Sequence, residues 1–343
     1  MNNHKLIYRF RQLTPYNLDS LITNRIYASS PVFLNDPLDC ALSYDILKLY
    51  KMLKDRCKFR SEASSIFMDR NFDSFKSYND YSEYCKNCFD YVGVEKNATI
   101  VMEYIERRMK SIITNIRNFF GIISFSSSIK NPVLWTHYAS NRNGFALAYF
   151  FDEIESSCKS IQDCQKKDYG EKFASLFGLQ KVTYSDESID CTKFLYWHFM
   201  HNNNKELFSK PNFDKRLIGS IINNIDLIRA LLLTKKSSWS YENEYRLIIP
   251  FQSSFIDSIC FPDNDLDFLE KEKQKYFHAG NIKPSAIAFG ENMPLHAKAL
   301  IAFLAKNNDI PIYELNSAFL DVNGHLAMCK INPDKLLSSI INK

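Results

Sequence analysis

The segment Trp239-Ser-Tyr-Glu242-Asn-Glu244-Tyr-Arg246-Leu-Ile-Ile-Pro250 constrains this chain more than any other. Side chains on a strand alternate between two faces. Read as one strand, it sets Tyr241, Asn243, Tyr245, Leu247 and Ile249 on one side. Glu242, Glu244, Arg246 and Ile248 fall on the other. A face carrying two carboxylates and a guanidinium either meets water or lines a cleft. Antiparallel strands commonly solvate one face, and a Glu/Arg ladder there is ordinary surface. The rest of the chain has to separate these two readings.

At 343 residues, 45% hydrophobic and 24% charged, the chain can bury a substantial core. A net charge of +4 is mild, giving weak attraction to polyanions without marking a dedicated nucleic-acid binder. No apolar run approaches the roughly 18 residues of a membrane span. The opening residues 1–11 lack the apolar core of a signal peptide. A soluble cytosolic protein without a membrane partner is therefore expected. Nine cysteines, an odd number without regular spacing, argue against a disulfide framework. Cys85 and Cys88 form one Cys-x-x-Cys with no second pair or His-x-x-x-His to complete a zinc site, so no metal is expected there.

Period-two alternation predicts a strand over Leu6–Phe10. Thr14-Pro15 starts a short helix: threonine is a good N-cap, and proline's missing N–H costs nothing in the first turn. Ile26–Ser30 reads as a second strand, ended by Pro31 and the Asn35-Asp36-Pro37 turn. From about 43 to 119, Lys and Arg interleave with apolar residues around a single glycine, which predicts a large helical insertion with 98–116 its best amphipathic part. Its charges read as a solvated helix face, with contact to an acceptor or protein partner as the alternative. Strand texture returns at 121–126. Asn131-Pro132 caps a short helix, and Phe145–Phe151 suits a buried strand. Residues 153–181 are mixed, apart from a short strand at 182–184, and 194–233 is mostly helical. A strand within 282–290, a helix at 295–306 and a closing strand at 310–315 complete one elaborated α+β domain spanning 1–343.

A Gly-x-Gly-x-x-Gly dinucleotide loop, a P-loop and a Gly-x-Ser-x-Gly elbow are all missing from the sequence. The chemistry-bearing residues left at strand ends and turns are Arg11, Ser29, Asn35, Asp36, Trp135, His137, Tyr138, Glu242, Glu244 and Arg246. Each also has a structural role open to it. Arg11 can cap a helix, Asn35-Asp36-Pro37 is a good turn on local grounds, and Trp135 and His137 suit a core.

Taken together, these blocks resemble a large bacterial family known only as a domain of unknown function. The resemblance rests on Leu6-Ile-Tyr-Arg-Phe-Arg11, Ile26 to Pro37, Ser124-Phe-Ser126, Leu134-Trp-Thr-His-Tyr-Ala139 with Gly144-Phe145, Trp239 to Arg246, and Ile282 to Gly290. It spans nearly the whole chain and names no activity.

The order of elements is also similar to the ADP-ribosyltransferase fold, especially its DNA-modifying toxin branch. A first strand ends in a basic residue, a second ends in serine, and a late strand carries Glu-x-Glu. The resemblance implies a split, curved, mixed or antiparallel sheet that takes NAD as substrate without a Rossmann loop. It implies Arg11 (taken in preference to Arg9) as the cofactor-binding residue, Glu244 as the catalytic glutamate and Glu242 as the residue orienting the acceptor. Ser29 matches the hydroxyl residue of the second strand; for such a substrate Trp135 or Tyr138 would stack on the nicotinamide ring, and His137 stands with them as a cofactor-binding candidate. The implied activity is ADP-ribosyl transfer to nucleic acid or protein, in a toxin or phage-defence setting. Two alternatives stand beside it. One is a module of the same fold that binds nucleotide or acts as a scaffold without turnover. The other is a metal-dependent hydrolase or nuclease using Asn35, Asp36, His137 and the glutamates.

Overall fold

In the computed structural model the alternation at the N-terminus becomes strand β1 (Leu6–Arg11). The structure describes residues 5–36, 38–49, 119–201, 224–250, 277–320 and 326–341, with 52, 110, 113 and 117 singly. The chain divides into two compact units. The first is built from Met1–Phe33, Gly121–Ser185 and Leu233–Lys343, the second from Leu34–Phe120 and Asp186–Leu232.

Thr14 has the extended backbone of an N-cap, and its hydroxyl accepts the Asn17 N–H to open α1 (Pro15–Thr23). Asn24, in the left-handed region, ends that helix and leads into β2 (Arg25–Ala28). After β3 (Phe120–Ser126), the Asn131 side chain accepts the Val133 N–H at 2.9 Å and opens α2 (Pro132–Tyr138). There follow β4 (Phe145–Phe150), α3 (Phe151–Tyr169), α4 (Glu171–Ala174), β5 (Gly178–Lys181) and β6 (Thr183–Tyr184). Next come α5 (Thr192–His201), α6 (Ile225–Leu233), β7 (Thr234–Lys235), a 3-10 turn at Ser237–Glu242 and β8 (Glu244–Pro250). The chain continues through β9 (Phe277–Asn281), β10 (Ala286–Phe289), α7 (Leu295–Asn307), β11 (Ile312–Leu320), β12 (Leu326–Ile331) and α8 (Pro333–Ile341).

Eight strands of the first unit form one sheet in the order β12-β11-β10-β4-β1-β3-β8-β5. The fold is α+β and the sheet mostly antiparallel, with β10 and β11 parallel. Along the β1–β4 ladder Tyr8 faces Ala148, Arg9 faces Leu147, Phe10 faces Ala146 and Arg11 faces Phe145. Cross-strand partners share a face, so this register sorts the side chains.

One face carries the large core. Ile7, Ile123, Phe125, Phe145, Leu147, Leu247, Ile249 and Ile287 pack there with Leu21 of α1, Ile154 and Cys158 of α3, and Ile301 of α7. The other face holds a smaller cluster: Phe10, Ala146, Ala288 and Leu315 beneath Leu134 and Trp135 of α2. Trp135 is fully buried, packs edge-on to Phe10 at 5.2 Å and donates its indole N–H to the Ile129 carbonyl at 2.7 Å. Alanines at 146 and 288 leave room for the indole against the strands, as close packing demands.

Three parts of the sequence reading change or fall outside these residues. The strand expected to close the sheet is β11, but β12 takes the edge beyond it. Most of the mixed stretch 153–181 is the helix α3, whose largely polar surface hides a buried stripe of Ile154, Cys158 and Ile161. The helical insertion expected at about 43–119 lies outside the described residues except for 43–49, 52, 110, 113, 117 and 119, and Cys85 and Cys88 lie outside them too. No helix among the described residues is long and apolar enough to cross a membrane.

Candidate functional site

The carboxylates of the Trp239–Pro250 segment converge by a route other than a single strand. Asn243 adopts a left-handed conformation (φ 46°), which ends the 3-10 turn and lets β8 begin at Glu244. Asparagine tolerates that conformation better than most residues. Glu242 therefore closes the turn and does not lie on the strand, while Glu244 and Arg246 are on it. Both glutamates are nonetheless buried, at 5% and 4% exposure, and Arg246 is fully buried.

Lys235 joins them. The two-residue parallel pairing of β6 and β7 sets Lys235 opposite Tyr184. Its ammonium lies 2.6 Å from Glu242 Oε2 and 3.5 Å from Glu244 Oε2. Arg246 grips Glu244 with two bonds, Nε to Oε1 at 2.8 Å and the terminal nitrogen to Oε2 at 3.2 Å. Ser124 also hydrogen-bonds the Glu244 side chain. The Tyr138 hydroxyl donates to Glu242 Oε1 at 2.5 Å. The backbone is pinned as well. Ser126 donates to the Glu242 carbonyl at 2.6 Å, Asn131 to the Tyr241 carbonyl at 2.6 Å, and the Glu244 N–H to the Tyr184 hydroxyl at 2.8 Å. Two cations balance two carboxylates, which is how a protein tolerates charge in its interior.

The two glutamates titrate in opposite directions. Burial by itself pushes the Glu244 carboxyl up, but Arg246 and Lys235 outweigh it and bring it down to about 2. At Glu242 burial prevails over Lys235 and the Tyr138 bond, and the nearby Glu244 charge adds to it, so its carboxyl is raised. Burial lifts the Tyr184 hydroxyl to about 12. Pairs of carboxylates pushed apart in this way are a recurring feature of sites that handle protons or charge.

Half-buried rings flank Glu242. Tyr138 and Tyr241 pack against the Trp135 cluster. Trp239 lies 4.6 Å beneath the Lys235 ammonium and 5.9 Å from the Tyr241 ring. His137 is exposed beside these rings, its Nδ1 3.4 Å from the Tyr241 hydroxyl. Tyr8 shares this side of the sheet, opposite Ser126, and burial raises its hydroxyl pKa.

The structure thus brings together Glu242, Glu244, Arg246 and Tyr138, with His137 at the margin. Trp135 is in the core under the same helix. Arg11 and Arg9 are elsewhere. They share the strand face of Ile7, which packs with Leu247 and Ile249, and strand alternation turns Glu244 and Arg246 the other way. Arg11 is close enough to Tyr149 on that face to act on its hydroxyl. Arg9 is buried, donates to the Tyr27 carbonyl at 2.8 Å and lies over the Phe125 ring. Ser29 forms a bridge with Ile122. Asn35 and Asp36 belong to the second unit, where the Asp36 side chain accepts the Leu38 N–H at 2.9 Å in a local turn. The sequence reading missed Lys235 and Tyr184, and it named Ser124-Phe-Ser126 as a family block without giving either serine a place in the site. Trp239 and Tyr241 stood within its strongest block, and only their contacts were unreadable.

With this geometry in place, one comparison with known proteins returns a match, to the family described as Protein of unknown function (DUF2971), over residues 134–247. Over that stretch the chain is similar to this family. That match starts in α2 and ends in β8, so the DUF2971 stretch supplies Tyr138, Tyr184, Lys235, Glu242, Glu244 and Arg246 from one continuous run. No curated protein and no solved structure matches the chain.

The residues of this stretch offer groups that part of a dinucleotide would need. Carboxylates suit ribose hydroxyls, and half-buried rings suit a planar base. For a pyrophosphate, the cations Lys235 and Arg246 on this face are already bound to glutamates, and the β1 arginines lie on the opposite face. No cluster of three or more His, Cys, Asp or Glu side chains placed to hold a metal ion is found among the described residues.

Proposed function

We propose that the face bearing Glu242 and Glu244 takes NAD and transfers its ADP-ribosyl group to a nucleic acid or a protein. The observation that carries this reading is the fixed carboxylate pair, held in one buried network beside half-buried rings. Breaking the bond between ribose and nicotinamide builds positive charge on the sugar, as in glycoside cleavage, and the departing nicotinamide keeps the bonding electrons. A carboxylate already fixed against the ribose hydroxyls stabilises that charge more than it stabilises the intact substrate. The acceptor nucleophile then bonds the sugar carbon and gives up a proton. Tyr138, Tyr241 and Trp239 would flank the planar ring.

A second reading has its own observation. Lys235 and Arg246 cancel the charge of both glutamates, and Arg11 is on the other sheet face. Both features favour a module that binds nucleotide without turning it over. Incubating the full chain with NAD labelled in its adenylate part, together with cell lysate, and measuring both label transfer and free nicotinamide separates the two. Release of nicotinamide that is lost in Glu242→Gln or Glu244→Gln supports transfer. Binding of NAD without release supports the second reading, and neither binding nor release removes both.

A further inference from the structure

The two glutamates do not have the same room for a ligand. A carboxylate offers about four lone-pair positions. Glu244 uses them on Arg246 twice, Lys235 and Ser124. Glu242 receives one bond on each oxygen, from Tyr138 at Oε1 and from Lys235 at Oε2. One position on each Glu242 oxygen remains.

We propose that Glu242 is the carboxylate that meets a ligand on this face, through a pair of neighbouring hydroxyls, and that Lys235, Glu244 and Arg246 are positioning residues that hold it. This rests on the reading of the face as a nucleotide site and names the group within the nucleotide that is recognised, a ribose cis-diol. It exchanges the roles that the sequence resemblance assigns to the two glutamates.

Three features support the exchange. Arg246 is fully buried and its two bonds lock Glu244 to its own strand, so Glu244 cannot turn toward a ligand without breaking them. Glu242 closes a 3-10 turn, and its free lone pairs lie on the oxygens that Tyr138 and Lys235 approach. The Tyr138 hydroxyl, on a half-buried ring, occupies the carboxylate in the way a sugar hydroxyl would. A ligand reaches Glu242 by displacing that one hydroxyl, with the ammonium of Lys235 left in place behind the carboxylate. The Lys235 ammonium also touches Glu244, which transmits the grip of Arg246 to the position of Glu242.

The test uses the full chain. Calorimetric titration with ADP-ribose is run on wild type, Glu242→Gln, Glu244→Gln and Tyr138→Phe, each checked by thermal unfolding. Glu242→Gln should lower the melting temperature, because Lys235 loses its closest charged partner, and at temperatures where it is folded it should lose about ten- to a hundredfold in affinity, the loss expected for hydrogen bonds to a charged group. Tyr138→Phe should bind as tightly as wild type or more tightly. Wild-type affinity should fall as acid protonates Glu242, and Glu242→Gln should lack that dependence, which a purely structural role would not produce. Glu244→Gln should lower the melting temperature, and at temperatures where it is folded it should bind better than Glu242→Gln. Carbodiimide labelling of wild type, read by peptide mass spectrometry, gives a measure independent of nucleotide: Glu242 should label faster than Glu244. Equal or faster labelling of Glu244, or affinity lost in Glu244→Gln and kept in Glu242→Gln, overturns the assignment. Preferential labelling of Glu242 with no ADP-ribose or NAD binding in wild type removes the nucleotide reading and leaves the division of roles standing.

Discussion

Lys235 Nζ lies 2.6 Å from Glu242 Oε2, and both side chains are almost wholly out of solvent. A buried pair of this kind adds little net stability over apolar residues of the same shape, yet breaking it leaves a charge stranded. Lys235→Met should therefore destabilise the protein by about 3–5 kcal/mol. The double variant Lys235→Met/Glu242→Met should recover much of that loss. Chemical denaturation of the four proteins of the cycle gives the coupling energy directly, and additive single effects would show that the pair does not interact.

Acid should reveal Glu244. Its folded carboxyl titrates at about 2 against an ordinary value of 4.5, so the unfolded chain holds more protons between those values. The stability it contributes is present above pH 4.5 and is lost as pH falls toward 2. The size is about 3 kcal/mol, from the shift. Glu242 has the opposite sign. Its raised folded value makes its contribution greatest below pH 4.5 and lost as pH rises through the folded value. Denaturation midpoints from pH 2 to 7 should show a steeper acid limb in wild type than in Glu244→Gln.

Gly144 sits where the chain enters β4. A Cβ built there would lie 2.1 Å from the Arg11 carbonyl oxygen and 3.1 Å from Ala139 backbone atoms. Gly144→Ala should cost at least about 2 kcal/mol, because only backbone atoms could yield. A melting temperature equal to wild type would show that the β1–β4 junction relaxes freely.

Arg11 and Arg246 distinguish the two faces of the sheet. Arg11→Ala should leave ADP-ribose affinity within about twofold of wild type, as expected for a residue outside the site. Arg246→Ala should remove it by releasing Glu244. Loss of affinity in Arg11→Ala would restore the cofactor role that the resemblance gives to that residue.

How much of this was legible in the sequence depends on the range of each interaction. β1, β3 and β4 could be read because alternation and apolar runs are local, and α1 and α2 because Thr14-Pro15 and Asn131-Pro132 carry their own caps. The left-handed Asn243 was not readable, and it splits what looked like one strand into a turn and a strand. Lys235 gave no signal at all. Its role comes from a two-residue pairing with Thr183 and Tyr184, some fifty positions earlier in the chain. The side on which Arg11 falls is equally non-local. Alternation fixes which residues of β1 go together, but only the register with β4, and the core shared with β8, decides which side meets the glutamates.

β1 is the first strand in sequence and a middle strand in space, bordered by β4 and β3. Both neighbours come from more than a hundred residues downstream, so a nascent chain has no partner for its opening segment until they have been made. Assembly of this sheet must close very long loops early, which makes folding slow by the rule that distant contacts cost chain entropy first. Deleting the first eleven residues would take out an interior strand and leave two sheet fragments with open edges, prone to pairing with other copies.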